Sequence, residues 1–96
     1  MRITRQRSKF RQDFKRASAG RYRNLLKRGG ELEEVVKKLS NDEPLPLQYR
    51  DHALHNNLEG KRECHLRPDF LLIYWYEGDD WLVLDRLGTH SDLLDL

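Results

Sequence analysis

Acidic residues are nearly missing from the first third of this 96-residue chain: residues 1–30 carry eleven Lys or Arg and one acid, Asp13. Cysteine is equally scarce. Cys64 stands alone, so no internal disulfide can form, which fits a reducing compartment. No apolar run approaches the roughly 20 residues that a membrane-spanning helix needs, the longest being Phe70 to Trp75. No apolar segment follows Arg2 and Arg5, so a secretory signal is not expected either. A cytoplasmic protein without a membrane partner is the expectation. Repeats, low-complexity segments and linkers are absent too, and the length supports one domain over residues 1–96 with a modest core.

The net charge of +2 conceals an imbalance. Residues 1–30 sum to +10, whereas residues 31–96, with seven basic and fifteen acidic side chains, sum to −8. A cationic first third suits a polyanion, although a solvated helix face has the same composition. The local pattern predicts a short strand over Arg2 to Arg5, then a helix with Ser8 as N-cap and Phe10, Phe14 and Ala17 on one stripe. Tyr22, Leu25 and Leu26 extend that helix with a bend, and Gly29-Gly30 breaks it. A second helix follows from Glu31, with Leu32, Val35, Val36 and Leu39 as its stripe, and Pro44 and Pro46 end it. A loop through Asn57 leads to three strands: Lys61 to Arg67, Phe70 to Tyr76 and Trp81 to Leu87. Ser91 to Leu96 is a short tail with room for one helical turn. The expected fold is α+β, two N-terminal helices packed on a small, mainly antiparallel sheet.

Histidines supply the candidate chemistry. In a three-stranded meander, the end of the first strand and the start of the second share a sheet edge with the end of the third. His65, Asp69, Arg86 and His90 can therefore meet at one edge. Cleavage of a phosphodiester by a neighbouring ribose hydroxyl needs a base, an acid for the leaving oxygen and a cation for the phosphorane charge. Imidazole suits both proton steps because its reference pKa of about 6.5 keeps both forms accessible. Spacing alone is also met by surface histidines, by Asp69 as a turn former after Pro68, and by Arg86 paired with Asp85.

Joint motifs narrow the choice. Pro44-Leu45-Pro46, Tyr49-Arg50-Asp51-His52, Leu54, Gly60, Arg62, His65, Pro68-Asp69 and Leu72-Ile73-Tyr74 form one series, resumed at Arg86, Gly88-Thr89-His90 and Leu93. Written as YxDHxL, RxxHxxPDxxLIY and RxGTH, it resembles the YafQ branch of the RelE/ParE toxin superfamily over residues 44–94. The resemblance implies a RelE-like microbial ribonuclease fold. It also implies cleavage of messenger RNA in the ribosomal A site, without a metal or other cofactor, held in check by a cognate antitoxin. Residue by residue it implies His52, His65, Asp69 and His90 as the acid–base set, without fixing which histidine is acid and which base; His90 as acid, with His65 or Asp69 nearest the nucleophile, is the expectation. It implies a phosphate and transition-state role for Arg86. Leu94 stands where the family pattern often has an aromatic, and lacks a π-face on which a base can stack.

RNA contacts are expected from Lys9, Lys15, Arg16, Arg21, Arg23, Lys27 and Arg28, with Tyr49 as a site-lining aromatic. His52 and His55 form H-x-x-H, and with His65 and Cys64 they raise a zinc site, but the spacing lies in a Pro-bounded loop and lacks a CxxC partner. No metal is expected, and Cys64 is assigned to the core. The alternative to an endoribonuclease is a non-catalytic RNA- or protein-binding module on the same fold, which leaves the coincidence of the histidines unexplained.

Overall fold

The computed structural model describes residues 1–94. In chain order it contains β1 (Ile3–Gln6), α1 (Ser8–Ala17), α2 (Glu31–Ser40), β2 (His52–Ala53), β3 (Arg62–Arg67), β4 (Phe70–Glu77) and β5 (Trp81–Gly88). Short 3-10 turns occupy Arg23–Leu26, Leu47–Tyr49 and Asn56–Leu58. The strands form one sheet in the order β1-β5-β4-β3-β2.

Both helices form where the apolar spacing places them. In α1 the last turn carries Lys15 and Arg16, favourable at the negative end of the helix dipole. Ser8 is not its cap. The helix begins at Ser8, Arg7 occupies the N-cap, and no side chain caps it. Tyr22, Leu25 and Leu26 do not prolong α1, because the chain tightens into the 3-10 turn that delivers Leu26 to the core. In α2, Glu31, Glu33 and Glu34 lie in the first turn and Lys37 and Lys38 in the last, while Leu32, Val35 and Leu39 are buried. Gly30 is its N-cap. A Cβ there would stand 2.8 Å from the Lys27 carbonyl oxygen, so only glycine fits without a shift.

The β3-β4-β5 meander is antiparallel, as expected. Two strands lie outside that expectation. β1 pairs with β5 in parallel, Ile3 opposite Trp81 through Gln6 opposite Leu84. Inside the expected loop, β2 adds two residues antiparallel to β3, with His52 opposite Glu63. That short pairing, invisible to periodicity, brings His52 beside the β3 site residues.

The helices cover one face of the sheet. There Phe10, Leu26, Leu32, Val35 and Leu39 pack on Cys64, Leu66, Phe70, Leu72, Tyr74, Leu82, Leu84 and Leu87. Strict alternation would place Leu84 and Leu87 on opposite faces. The register of β4 against β5 slips between Ile73 and Tyr74, so that Asp85 is an extra residue, and both leucines reach the same core. On the opposite face Leu71, Ile73 and Leu93 form a small second cluster with Leu54 against it. The tail is fastened by the Leu93 N–H donating to the Thr89 carbonyl at 3.1 Å. The last two residues of the expected tail lie outside the described residues.

Candidate active site

β3 and the loops at its end of the sheet gather the imidazoles. His65 lies between the other two, its ring centroid 6.0 Å from that of His52 and 6.3 Å from that of His90. His90 is oriented by Asp69. Its Nδ1 faces Asp69 Oδ1 at 2.7 Å and its backbone N–H donates to the same oxygen at 3.0 Å. A nitrogen facing a carboxylate is the donor, so Nε2 is the ring atom left for chemistry. Those backbone and side-chain hydrogen bonds from His90 hold the Asp69 carboxyl below its ordinary range.

His52 and His65 share a second carboxylate. Glu63 Oε2 lies 3.0 Å from His52 Nε2 and 3.7 Å from His65 Nε2. The other nitrogen of His52 sits 2.6 Å from the Arg50 carbonyl oxygen. Glu63 is the residue that the motif reading passed over. Its signal was present, since it stands two positions before His65 on the same face of an alternating strand. Asp51 does not serve His52 despite its adjacency. It accepts from Tyr74 Oη at 2.5 Å and pairs with Arg62 at 3.3 Å, which fastens the loop from which His52 projects. Burial first, and then this contact with Asp51, push the Tyr74 hydroxyl up.

Arg86 departs from expectation. It is 6% exposed, and its Nε donates to Asp13 Oδ2 at 2.8 Å. Asp13, the lone acid of the basic third, is 2% exposed and also accepts the Leu87 N–H at 3.0 Å. β1 stops pairing with β5 at Leu84, so the rest of the β5 edge would be open. Asp13 closes it from α1. The same carboxylate accepts from Arg16 at 3.0 Å, and Arg16 faces Asp92 at 3.7 Å in the turn that holds His90. At rest the Arg86 guanidinium is turned onto Asp13 and buried, and Arg16 bridges two acids, so the phosphate and RNA contacts expected of them require exchange of those carboxylates for the substrate.

Of the remaining expected RNA contacts, Lys9, Lys15, Arg21, Arg23, Lys27 and Arg28 are exposed on the helical layer. Tyr49 lines a cavity of about 250 Å³ with His65, Arg50, Arg67 and Pro68. Leu94 is 82% exposed. Phe70 is no substitute platform, because it is buried and stacked on Tyr22 with centroids 4.7 Å apart.

The zinc set weighed from sequence does not assemble. Cys64 is buried in the helix-side core, where burial raises its thiol pKa, and His55 lies in the exposed loop beyond β2. A different trio does: ligand atoms of His52, Glu63 and His65 all lie within 4.8 Å of one another.

Two helices on one face of a mixed five-stranded sheet is the RelE-like architecture found in YafQ toxin structures. A family profile described as the bacterial toxin of a type II toxin-antitoxin system, YafQ, matches residues 2–95, and the chain belongs to that family. The mRNA interferase toxin YafQ of Escherichia coli is 42% identical over 55 residues, 57% of this chain and 59% of that protein. The match therefore spans less than two thirds of that relative. Among solved structures, a copper-bound mutant toxin from Helicobacter pylori is 38% identical with a TM-score of 0.81, covering 97% of this chain and 99% of its own. A toxin in the DinJ-YafQ complex of Escherichia coli is 33% identical with a TM-score of 0.79, covering 97% of this chain and 98% of its own.

Proposed function

We propose that this chain is the toxin of a type II toxin–antitoxin pair, an endoribonuclease that cuts messenger RNA on the ribosome. The observation that carries the reading is the meeting of three imidazoles with two carboxylates that orient them. His65, central in the cluster, takes the proton from a ribose 2′-hydroxyl, while Asp69 is engaged with His90 rather than poised as base. His90, held through Nδ1, delivers a proton from Nε2 to the leaving 5′-oxygen. His52, held between Glu63 and the Arg50 carbonyl, stabilises the phosphorane charge while Arg86 rests on Asp13. The exposed cations Lys9, Lys15, Arg21, Arg23, Lys27 and Arg28 dock ribosomal RNA through phosphates. Leu94 leaves base stacking to other groups. A cognate antitoxin is the protein partner, as DinJ is for YafQ in the Escherichia coli complex. Ribosomes place the activity in the cytoplasm, and no helix among the described residues is long and apolar enough to cross a membrane. Induction of the chain without an antitoxin arrests growth and cuts messages within reading frames. Normal growth with intact messages, at confirmed soluble expression, overturns the reading.

The trio His52, Glu63 and His65 gives a metal-dependent reading a specific basis. Two imidazole nitrogens and a carboxylate oxygen suit Cu(II) or Zn(II). A cation there would occupy the lone pairs that the acid–base scheme uses. Purified chain on programmed ribosomes is therefore expected to cleave in the presence of a zinc-selective chelator and to be inhibited by added Cu(II) or Zn(II). Abolition by the chelator with rescue by zinc would put metal-assisted hydrolysis first.

A further inference from the structure

The sheet face that the helices leave open carries a second charged cluster, next to the histidines but outside them. Trp75 alternates with Tyr74 and Tyr76, both packed into the helix-side core, so its indole stands on the open face with Ile73 and Leu71. Arg7 and Lys61 approach it, each with its charged group 5.4 Å from the ring centroid. Both also converge on one carboxylate. Lys61 Nζ is 2.8 Å from Asp85 Oδ2, and Arg7 Nε is 3.6 Å from Asp85 Oδ1. The Asp85 side chain is 8% exposed, whereas that of Arg7 is 55% exposed. The acid thus lies beneath and the cations above it, two positive charges over one negative. Register places the cluster beside the site: Arg62 pairs with Tyr74 and Glu63 with Ile73, so Lys61 and Trp75 lie two residues along from Glu63 and Ile73. Two residues of strand span about 7 Å.

We propose that Arg7 and Lys61, set around Trp75 and anchored on Asp85, form a phosphate subsite for single-stranded RNA next to the scissile bond. The inference rests on the cleavage reading above and adds where the strand runs. Charge complementarity and continuity with the histidine cluster choose the occupant. One net positive charge remains after Asp85 is counted, and one phosphodiester carries one negative charge. Lysine has three donors and arginine five, and one carboxylate does not exhaust them. Trp75 keeps both heads close to the sheet through cation–π contact, so they are positioned before the strand arrives. The bulge in β5 is what makes this possible, because it adds Asp85 to the strand without displacing Leu84 or Leu87 from the core.

The test is binding of a 2′-O-methyl RNA, which lacks the nucleophilic hydroxyl, to the full chain over a range of salt. Lys61→Gln and Arg7→Gln each weaken binding about three- to tenfold at low salt. Each also flattens the slope of log K against log salt by about 0.7. Asp85→Asn moves both quantities the other way, since it releases the anchored charges. Lys61→Arg and Arg7→Lys preserve the slope, and Lys38→Gln on α2 serves as a control that changes neither quantity. Extending the oligonucleotide from two to six nucleotides strengthens binding more for the parent chain than for Lys61→Gln. Unchanged affinity and slope in both neutralised variants overturns the subsite, as does an Asp85→Asn chain that folds but binds no more tightly. Cleavage by the parent chain together with that result leaves the cleavage reading intact. Charge-dependent binding without cleavage by the parent chain removes the cleavage reading and keeps the subsite.

Discussion

His90→Ala lowers the chemical step of RNA cleavage by about 10²–10⁴-fold while leaving RNA affinity nearly unchanged. The split follows from geometry: Nδ1 is committed to Asp69, so the ring meets the reaction through Nε2, where charge develops on the leaving oxygen. Single-turnover rates on programmed ribosomes, set beside binding of an uncleavable message, separate the two effects. An alanine variant that cleaves at the parent rate passes the acid role to His52 or His65. The ends of the products test the scheme as a whole. Attack by the ribose leaves a 2′,3′-cyclic phosphate or its opened 3′-phosphate and a 5′-hydroxyl, whereas 5′-phosphate ends would make water the nucleophile. Asp69 also bears on pH. A carboxyl held below its ordinary value of about 3.9 stays charged as pH falls through that value. The stability that it contributes is present above its unfolded-state pKa and is lost only as pH falls through the lowered folded value. Activity lost on moving from neutrality to pH 5 therefore reports another group.

Asp13→Ala is expected to cost about 3–5 kcal/mol of folding stability, the largest structural effect of any single change in the site's surroundings. It removes the carboxylate that accepts from the buried Arg86 guanidinium and from the Leu87 amide. In a domain of this size each kcal/mol lowers Tm by about 4–8 °C, so the midpoint falls by at least about 12 °C. Arg86→Ala leaves a buried carboxylate, partly relieved by Arg16, and costs less. The pair Asp13→Leu with Arg86→Met regains part of the loss, since no buried charge remains. Thermal and denaturant midpoints, read beside cleavage per folded molecule, decide the role of Arg86. If Arg86→Ala spares stability and abolishes cleavage, its guanidinium leaves Asp13 for the substrate, and the role implied by the motifs is restored.

The contrast between Arg86 and His65 shows what the sequence could disclose. His65 was legible because its setting is local: strand alternation fixes its face, and Pro68-Asp69 turns the chain beside it. The helices were legible for the same reason, since Phe10, Phe14 and Ala17, and likewise Leu32, Val35 and Leu39, repeat at helical spacing. The pairing of Arg86 was not, because its partner is 73 residues away on α1 and nothing in the local pattern signals Asp13. Its being the lone acid among eleven cations was the available hint. The bulge at Asp85 was hidden too. One extra residue shifts the phase of β5, so alternation read along the strand assigns wrong faces beyond it. Glu63 lay between these cases, visible as a neighbour of His65 on one face but without a motif to mark it.

The parallel pairing of β1 with β5 has a consequence for synthesis. Ile3–Gln6 are made well before their strand partner, Trp81–Leu84. His90 follows that strand, so the histidine cluster cannot assemble until β5 and the turn after it have been made. Asp13 likewise waits for Arg86 and Leu87. Residues 1–30 emerge early, with ten net positive charges and no sheet to pack on. A growing chain therefore offers its cationic surface well before it has a working site.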